Sequence, residues 1–356
     1  MRHFLLFLLL TINFAKAQGV NDGWIVRKAL DIPKAQSNST QDIATYIRTN
    51  FSSDRDKARA IYAWVTANIR YTTDSANIIN LGMGDSSKVT MALRRRRGVC
   101  ENYAAIFTDI AVKSGLTSYV IAGYTKQNGA LDKTGHSWSV ALLDNVWQLF
   151  DPTWDEGKEE NPKYFTMPPE EFVETHIPYD PLWQLLHYPV TQQQFYSGRS
   201  KNEVPYFSYP DSIKAYLEMD SLHRFQSSAA RMQRDELNNS LVKNNYASVR
   251  MNIETIHQDK DVDLYNSSVA DLNAATAILN NLIQYRNEKL TPPKTDVEIN
   301  EELKGINGRL TASVRKLDEI DRSEAVFKIG TDKVRERINA LSEKARGMFV
   351  LAIKER

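Results

Sequence analysis

The stretch Gly98-Val99-Cys100-Glu101-Asn102-Tyr103-Ala104 contains the one cysteine of this 356-residue chain. Apolar residues recur after it with helical spacing, which predicts a helix that begins at or near Cys100 and stops at Gly115. Unpaired backbone N–H groups and the positive end of the helix dipole favour a thiolate at such a position. The same N–H groups can hydrogen-bond an oxyanion that forms on an attacked carbonyl. Gly98 lets the chain turn tightly into the helix.

Two later segments supply candidates for a base and for the carboxylate that orients it. His136 lies in Gly135-His136-Ser137-Trp138, and Asp151 lies in Phe150-Asp151-Pro152-Thr153-Trp154. The strands predicted over 136–143 and 146–153 flank Asp144-Asn145, a pair typical of a two-residue hairpin loop. With that loop, His136 and Asp151 are diagonal neighbours on one face of the sheet. A three-residue loop would put them on opposite faces.

Each of these residues also has an ordinary structural explanation. A lone cysteine is usually a small buried apolar residue, a strand histidine is usually structural, and aspartate before proline often starts a turn. The three residues occur together, in this chain order and with this register. That combination favours a triad of Cys100, His136 and Asp151.

The first 17 residues have the features of a signal peptide. Met1-Arg2-His3 precede an apolar run that ends at Leu10, and Ala15-Lys16-Ala17 is typical of a cleavage site. The apolar run is too short to span a bilayer, and no cysteine follows it that could be acylated. We expect a soluble periplasmic or secreted protein, in which a lone cysteine cannot form an internal disulfide.

Composition divides the chain near residue 200. All six tryptophans lie before residue 190, and no glycine occurs between Gly198 and Gly305. We predict a folded domain over 18–190, a connecting segment over 191–210 and an α-helical region over 211–356.

Within the C-terminal region, helices are expected over 211–258 and 264–290. Thr291-Pro292-Pro293 should end the second of them, and two more helices are expected over 296–356. Leucine and alanine residues repeat by threes and fours over too few heptads for a coiled coil. A helical bundle is therefore the preferred interpretation.

Charge and motifs argue against several classes of protein. A net charge of +1 gives no reason to expect nucleic acid or an anionic membrane as a partner. No two histidines have the spacing of a metal site, and Gly82-Met83-Gly84 lacks the context of a nucleotide-binding loop. The acidic run from Asp155 to Glu160 is expected to be a solvated loop. We therefore predict no metal and no cofactor.

The residues around the predicted triad resemble the transglutaminase-like superfamily of papain-like thiol enzymes, and more narrowly a bacterial branch related to kyphoscoliosis peptidase. The resemblance covers about residues 40–190. The motifs that carry it are Trp64-Val65, Asn68-Ile69, Arg97-Gly98-Val99-Cys100, Tyr103-Ala104, Gly115-Leu116, Ala122-Gly123-Tyr124, His136-Ser137-Trp138 and the segment from Val146 to Trp154.

The resemblance implies an α+β fold in which the cysteine helix packs on an antiparallel sheet that carries His136 and Asp151. It also implies acyl transfer from an amide: Cys100 attacks the carbonyl, His136 protonates the leaving amine, and Asp151 orients the imidazole. Members of the family cross-link glutamine to lysine, hydrolyse amides, or act as inactive scaffolds. Asn102 stands where the family often has a small residue.

Other site residues are weaker candidates. Trp138, Tyr103 and Asn102 are candidates for substrate contacts. Trp64 is a candidate for a side-chain oxyanion donor, although its place on an amphipathic helix favours core packing.

Two functions follow from these patterns. The first is a secreted cysteine-dependent amidase or peptidase that acts on peptide, protein or cell-wall amides. The second is a non-catalytic binding protein whose C-terminal helices hold a protein or cell-wall partner. Amine cross-linking differs from the first function only in the nucleophile that reaches the thioester.

Overall fold

The computed structural model describes residues 22–73, 85–198, 205–234, 239–288, 294–321 and 325–354. Three predictions fall outside these residues: the signal peptide over 1–17, the loop at Gly82-Met83-Gly84 and the helix end at Thr291-Pro292-Pro293. By its internal contacts the chain divides into two compact units, Met1–Val249 and Arg250–Arg356. Over the described ranges, no helix combines the length and the apolar character needed to cross a membrane.

Within the described residues, five α-helices precede the main sheet. They cover 22–30 (α1), Thr40–Asn50 (α2), Asp54–Asn68 (α3), Asp85–Arg95 (α4) and Cys100–Lys113 (α5). The Ser53 hydroxyl accepts the backbone N–H of Asp56 and so caps the start of α3. Gly115 follows α5 with a φ angle of +91°, a conformation that favours glycine. Helix α5 therefore begins and ends close to its predicted positions.

The part of the chain that the structure describes contains six strands in two sheets. Arg70–Tyr71 (β1) and Arg97–Gly98 (β2) make a short parallel pair immediately before α5. Thr117–Gln127 (β3), Ala130–Leu143 (β4), Val146–Phe150 (β5) and His176–Pro178 (β6) form an antiparallel sheet in the order β5-β4-β3-β6. The fold is α+β, as predicted.

A two-residue turn fixes the register between β4 and β5. Asp144 and Asn145 have φ angles of 49° and 66°, and a type I′ turn requires positive values at both positions. Leu143 pairs with Val146, which is the register predicted from the two-residue loop. The second strand ends at Phe150, earlier than predicted, because Pro152 has no N–H to donate to the ladder.

Helix α5 packs on one face of the antiparallel sheet. The Ser139 hydroxyl donates to the carbonyl oxygen of Ala104 at 3.1 Å, and Ala141 and Leu143 share an apolar core with α3 and α5. A second core contains Trp138 and its neighbours on the other face of β4. Apolar packing on both faces therefore holds the strands that lead to His136 and Asp151.

Helix Pro169–Phe172 (α6) lies between β5 and β6. After β6 the described residues form Gln192–Ser197 (α7), Tyr209–Glu218 (α8) and Ser221–Arg234 (α9), and Ser240–Glu288 (α10) then runs from the first unit into the second. Arg231 of α9 forms an ion pair with Asp180, with Nε 2.6 Å from Oδ1. The boundary between the two compact units lies between residues 249 and 250, whereas composition divides the chain near residue 200.

The second unit contains most of α10 together with Asp296–Asp318 (α11) and Ala325–Lys354 (α12). One apolar core joins these helices, with Leu279, Ile306 and Ile338 among its buried residues. The interruption predicted over 259–263 is wrong, because α10 continues through this polar segment, which contains neither glycine nor proline. The helix predicted over 211–258 is instead interrupted at Asp220. The Asp220 carboxylate accepts the backbone N–H of His223 at 2.8 Å and so caps the start of α9.

Candidate active site

Cys100 is the first residue of α5, and it is half-buried. Asn102 Oδ1 accepts the backbone N–H of Val99 at 3.0 Å, which closes the first turn of the helix. A β-carbon added at Gly98 would lie 2.5 Å from the Asn102 β-carbon, so only glycine fits the chain before this turn. The sulfur therefore lies at the positive end of the helix dipole, near N–H groups that have no acceptor within the helix.

His136 and Asp151 form a hydrogen-bonded pair. His136 Nε2 lies 2.7 Å from Asp151 Oδ2, and the two side chains are 10% and 0% exposed. The pair joins the two residues that the hairpin register predicts to be diagonal neighbours. Because Asp151 holds Nε2, the other ring nitrogen, Nδ1, is the one available to Cys100, which lines the same cleft.

The two members of this pair stabilise each other in their charged forms. Burial by itself lowers the pKa of His136, but the Asp151 carboxylate and Cys100 raise that pKa to about 10. Burial by itself raises the pKa of Asp151, but the charge of His136 and hydrogen bonds from His136 and His176 hold it well below its usual range. At neutral pH the pair is therefore an imidazolium and a carboxylate.

A second histidine shares the same carboxylate. His176 Nε2 lies 3.1 Å from Asp151 Oδ2, and the His176 side chain is fully buried. His176 could not be predicted as a site residue from the sequence, because it lies 25 positions after Asp151 and no motif surrounds it. The pairing of β6 with β3, which places His176 opposite Thr125, brings it to the site.

Cys100 and His136 line a cleft of about 410 Å³. Two aromatic side chains, Tyr71 and Trp154, and two carboxylates, Asp132 and Glu156, line the same cleft. A carbonyl group that enters the cleft can therefore reach the sulfur and the imidazole together.

The three weaker candidates, Trp138, Tyr103 and Asn102, are buried and lie outside the cleft lining. The Tyr103 hydroxyl donates to the carbonyl oxygen of Ile69 at 2.8 Å, and Asn102 closes the first turn of α5. These contacts are structural, and a role of the three residues in substrate contacts stays a prediction. Helical rotation turns Asn102 away from the direction of Cys100, and Trp138 lies in the core of the sheet.

Trp64 is a core residue, as its place on an amphipathic helix predicts. Its side chain is 1% exposed, and the Arg96 guanidinium lies over the ring at 4.6 Å.

The segment after Asp151 is anchored by a buried carboxylate. Asp155 Oδ2 lies 2.7 Å from the Tyr62 hydroxyl and accepts the backbone N–H of Tyr164 at 2.6 Å. The Tyr62 hydroxyl is also 2.8 Å from the carbonyl oxygen of Asp151. Asp155 is fully buried, so the expectation that it belongs to a solvated acidic loop is wrong.

The structure also brings together three side chains that could bind a metal ion. Ligand atoms of His136, Asp151 and His176 lie within 4.8 Å of one another. Hydrogen bonds from both imidazoles to Asp151 account for this arrangement without an ion. The absence of a metal stays a prediction.

Comparison with known proteins gives the family of this domain. A family model for the transglutaminase-like superfamily matches residues 41–152, a range that contains Cys100, His136 and Asp151. Kyphoscoliosis peptidase of Mus musculus is 30% identical over 161 residues, which are 40% of this chain and 24% of that protein. The Lim and transglutaminase domain protein ltd-1 of Caenorhabditis elegans is 26% identical over 196 residues, 47% of this chain and 26% of that protein.

A crystal structure of a TGase aligns with a TM-score of 0.25 at 18% identity, over 40% of this chain and 37% of that chain. The chain spans about a quarter of the length of the two curated relatives, with coverages of 24% and 26%. Both His176 and the second unit lie outside the range that the family model matches. Residues 41–152 of this chain belong to the transglutaminase-like superfamily.

Proposed function

We propose that this chain is a secreted or periplasmic cysteine-dependent amide hydrolase that acts through a thioester. The observation that carries the proposal is the hydrogen bond of 2.7 Å between His136 and Asp151, beside a cleft that Cys100 also lines. Membership of residues 41–152 in the transglutaminase-like superfamily supports the reaction class. The features of residues 1–17 support export.

In the proposed reaction the Cys100 thiolate attacks the carbonyl carbon of an amide. N–H groups at the start of α5 hydrogen-bond the resulting oxyanion. The C–N bond then breaks, and His136 gives the proton on Nδ1 to the departing amine, which leaves a thioester on Cys100.

Water completes the cycle. It attacks the thioester carbonyl while neutral His136 accepts its proton, and the C–S bond breaks. The carboxylic acid product leaves, and the thiolate and the imidazolium are regenerated. Asp151 stays ionised throughout and keeps the imidazole turned towards the sulfur.

Two alternatives share the fold. A primary amine in place of water would give cross-linking by the same thioester. A scaffold function is favoured by one observation: the compact unit from Arg250 onward lies outside the matched family range.

The first experiment measures the rate of alkylation of Cys100 by iodoacetamide between about pH 4 and pH 10. One cysteine in the chain means that the label reports on one site. We expect wild-type Cys100 to react well below the ordinary thiol pKa of about 8.5. His136→Ala should slow labelling at pH 6 by at least about tenfold, because the thiolate loses its imidazolium partner.

His223→Ala is the matched control. His223 also pairs with an aspartate, Asp220, at 2.8 Å, but its side chain is 64% exposed. This variant should react like the wild type. An ordinary thiol profile that His136→Ala leaves unchanged would contradict the proposed enzyme and favour the scaffold.

A second measurement separates hydrolysis from transfer. The protein is incubated with an activated peptide acyl donor, with and without methylamine. Mass spectrometry identifies the products, and Cys100→Ala is the negative control. Acid product in both mixtures supports a hydrolase. Methylamide as the main product would instead support a cross-linking enzyme.

A further inference from the structure

The Asp151 carboxylate has four hydrogen-bond partners. Oδ1 accepts the backbone N–H groups of Thr153 and Trp154 at 2.9 Å and 3.4 Å. Oδ2 is shared by two imidazoles, His136 at 2.7 Å and His176 at 3.1 Å. One side of the carboxylate is thus fixed by the backbone, and the other side depends on two histidine rings.

The sheet places these two histidines on either side of β3. His136 pairs with Gly123, and His176 pairs with Thr125. Positions 123 and 125 point to the same face, because side chains alternate along a strand. The two rings therefore lie on one face, with their centroids 5.5 Å apart.

The surroundings of His176 keep it neutral. Burial lowers its pKa, although Asp151 partly opposes this effect. The ring is enclosed by aromatic side chains, with centroid distances of 4.2 Å to Phe172, 4.4 Å to Trp154 and 5.3 Å to Tyr164. Besides Asp151, the charged groups that act on it are His136 and the more weakly felt Asp132.

A neutral His176 has one arrangement of its proton that satisfies both nitrogens. Nε2–H donates to Asp151 Oδ2, and Nδ1 accepts from the Thr175 hydroxyl at 2.8 Å. The ring then stabilises the carboxylate without adding a second positive charge that would compete with the His136 imidazolium.

We propose that His176 is a positioning residue for the reaction of Cys100. Its Nε2–H group holds the Asp151 carboxylate ionised and fixes Oδ2 against His136, which in turn holds the imidazole at the sulfur. The inference rests on the proposed function, and it adds a residue from outside the range of the family model.

Two substitutions separate the hydrogen bond from the packing of the ring. His176→Gln keeps an N–H donor at a similar distance from the backbone but loses the ring. His176→Phe keeps the ring but loses the donor. Both are compared with wild type and His136→Ala by the alkylation rate of Cys100 at pH 6, after tryptophan fluorescence has shown that each variant is folded.

We expect His176→Phe to lower the rate about tenfold and His176→Gln to stay within about threefold of wild type. The reverse order, with Phe tolerated and Gln impaired, would show that only ring packing matters and would overturn the proposal. Equal rates in wild type and His176→Phe would overturn it as well. If wild type itself reacts no faster than His136→Ala, the proposed function fails and this role fails with it.

A measurement on the unmodified chain covers the case in which a variant does not fold. ¹⁵N–¹H spectra of the protein labelled at its histidines report the tautomer and charge of each ring. We expect one buried histidine to remain neutral with its proton on Nε2 from about pH 5 to pH 8. A charged His176, or a proton on Nδ1, would overturn the proposal whatever the reactivity of Cys100.

Discussion

The two compact units bury different kinds of polar side chain. In the first unit, Arg59, Asp151, Asp155 and His176 are each at most 1% exposed. In the second unit, Asp261 is 5% exposed, and the polar residues of the described ranges that are at most 1% exposed are two serines, Ser268 and Ser313. Their hydroxyl oxygens lie 2.7 Å apart, and each also donates to the carbonyl oxygen of the other residue.

The kind of polar group that a region buries indicates whether the region forms a functional site or a structural core. A buried charge is costly to desolvate, so a protein gains little stability from collecting several in one place. Uncharged hydroxyl pairs cost less and can fix how two helices align. The first unit also contains the cleft that Cys100 and His136 line, with the buried Asp151 hydrogen-bonded to His136, which is the pattern expected of a functional site. The buried apolar residues of the second unit show the pattern of a packed helical core.

The largest expected effect comes from Gly123→Ala, which acts on the strand between the two histidines. A β-carbon there would lie 2.2 Å from the carbonyl oxygen of Ile177 and 2.4 Å from Trp138 Cη2. Because the carbonyl belongs to the β6 backbone, the strand must move. We expect a loss of about 3 kcal/mol or more in the free energy of unfolding, with slower labelling of Cys100. Urea unfolding followed by tryptophan fluorescence measures the loss, since all six tryptophans lie in the first unit.

Gly129→Ala is the control for Gly123→Ala. Gly129 has a φ angle of +80°, but an added β-carbon would meet nothing within 4 Å. It should cost only about 1 kcal/mol, from backbone strain alone. Equal losses in the two variants would argue against the close packing of β3 and β6.

Ile306→Ala tests the other side of the comparison. Ile306 is fully buried in the core of the second unit. Its truncation should cost about 2.5 kcal/mol, measured as a shift in the helical transition by far-UV circular dichroism. Labelling of Cys100 at pH 6 should not change. Ile329→Ala removes a side chain that is 55% exposed and should leave both quantities unchanged; slower labelling in Ile306→Ala would show that the units are not energetically independent.

The charged pair predicts how stability depends on pH. The pKa of His136 is raised to about 10 in the folded chain, above its unfolded value of about 6.5. The stabilisation is therefore complete below about pH 6.5 and is lost as pH rises towards 10, at no more than about 1.4 kcal/mol per pH unit. Fluorescence-monitored urea unfolding at pH 7 and pH 9 should show a larger decline for wild type than for His136→Ala. Parallel declines would show that His136 is not held as an imidazolium.

The serine pair should give the smallest effect. Ser268→Ala leaves Ser313 with fewer partners and should cost about 1 kcal/mol in the circular dichroism transition. The double variant Ser268→Ala, Ser313→Ala should cost less than the sum of the two single variants, because neither hydroxyl is then left unpaired. Strict additivity would mean that the two hydroxyls do not act as a pair.

The site could be predicted where short-range rules decide geometry. Asp144-Asn145 specifies a two-residue turn, and alternation along the strands then brings His136 and Asp151 to one face. Gly98 and the apolar spacing after Cys100 specify the start of the helix that Cys100 begins. Each of these predictions needed only neighbouring residues and a fixed periodicity.

His176 could not be found in this way. Its position depends on the pairing of β6 with β3, between residues far apart in the chain. Burial of Asp155 likewise depends on Tyr62, which lies 93 residues earlier. The continuous helix α10 was missed for a different reason: a polar segment such as 259–263 looks like a loop, yet it is compatible with an exposed helix turn.

The two-residue turn at Asp144-Asn145 fixes which side chains of β4 and β5 share a face of the sheet. One inserted or deleted residue there would rotate every later side chain of β5 to the opposite face of the sheet. Asp151 would then point away from His136, although neither residue had been altered. Among related sequences, changes in length should therefore be excluded from this turn wherever the pair is retained. An engineer who needs an insertion site should look to another surface loop.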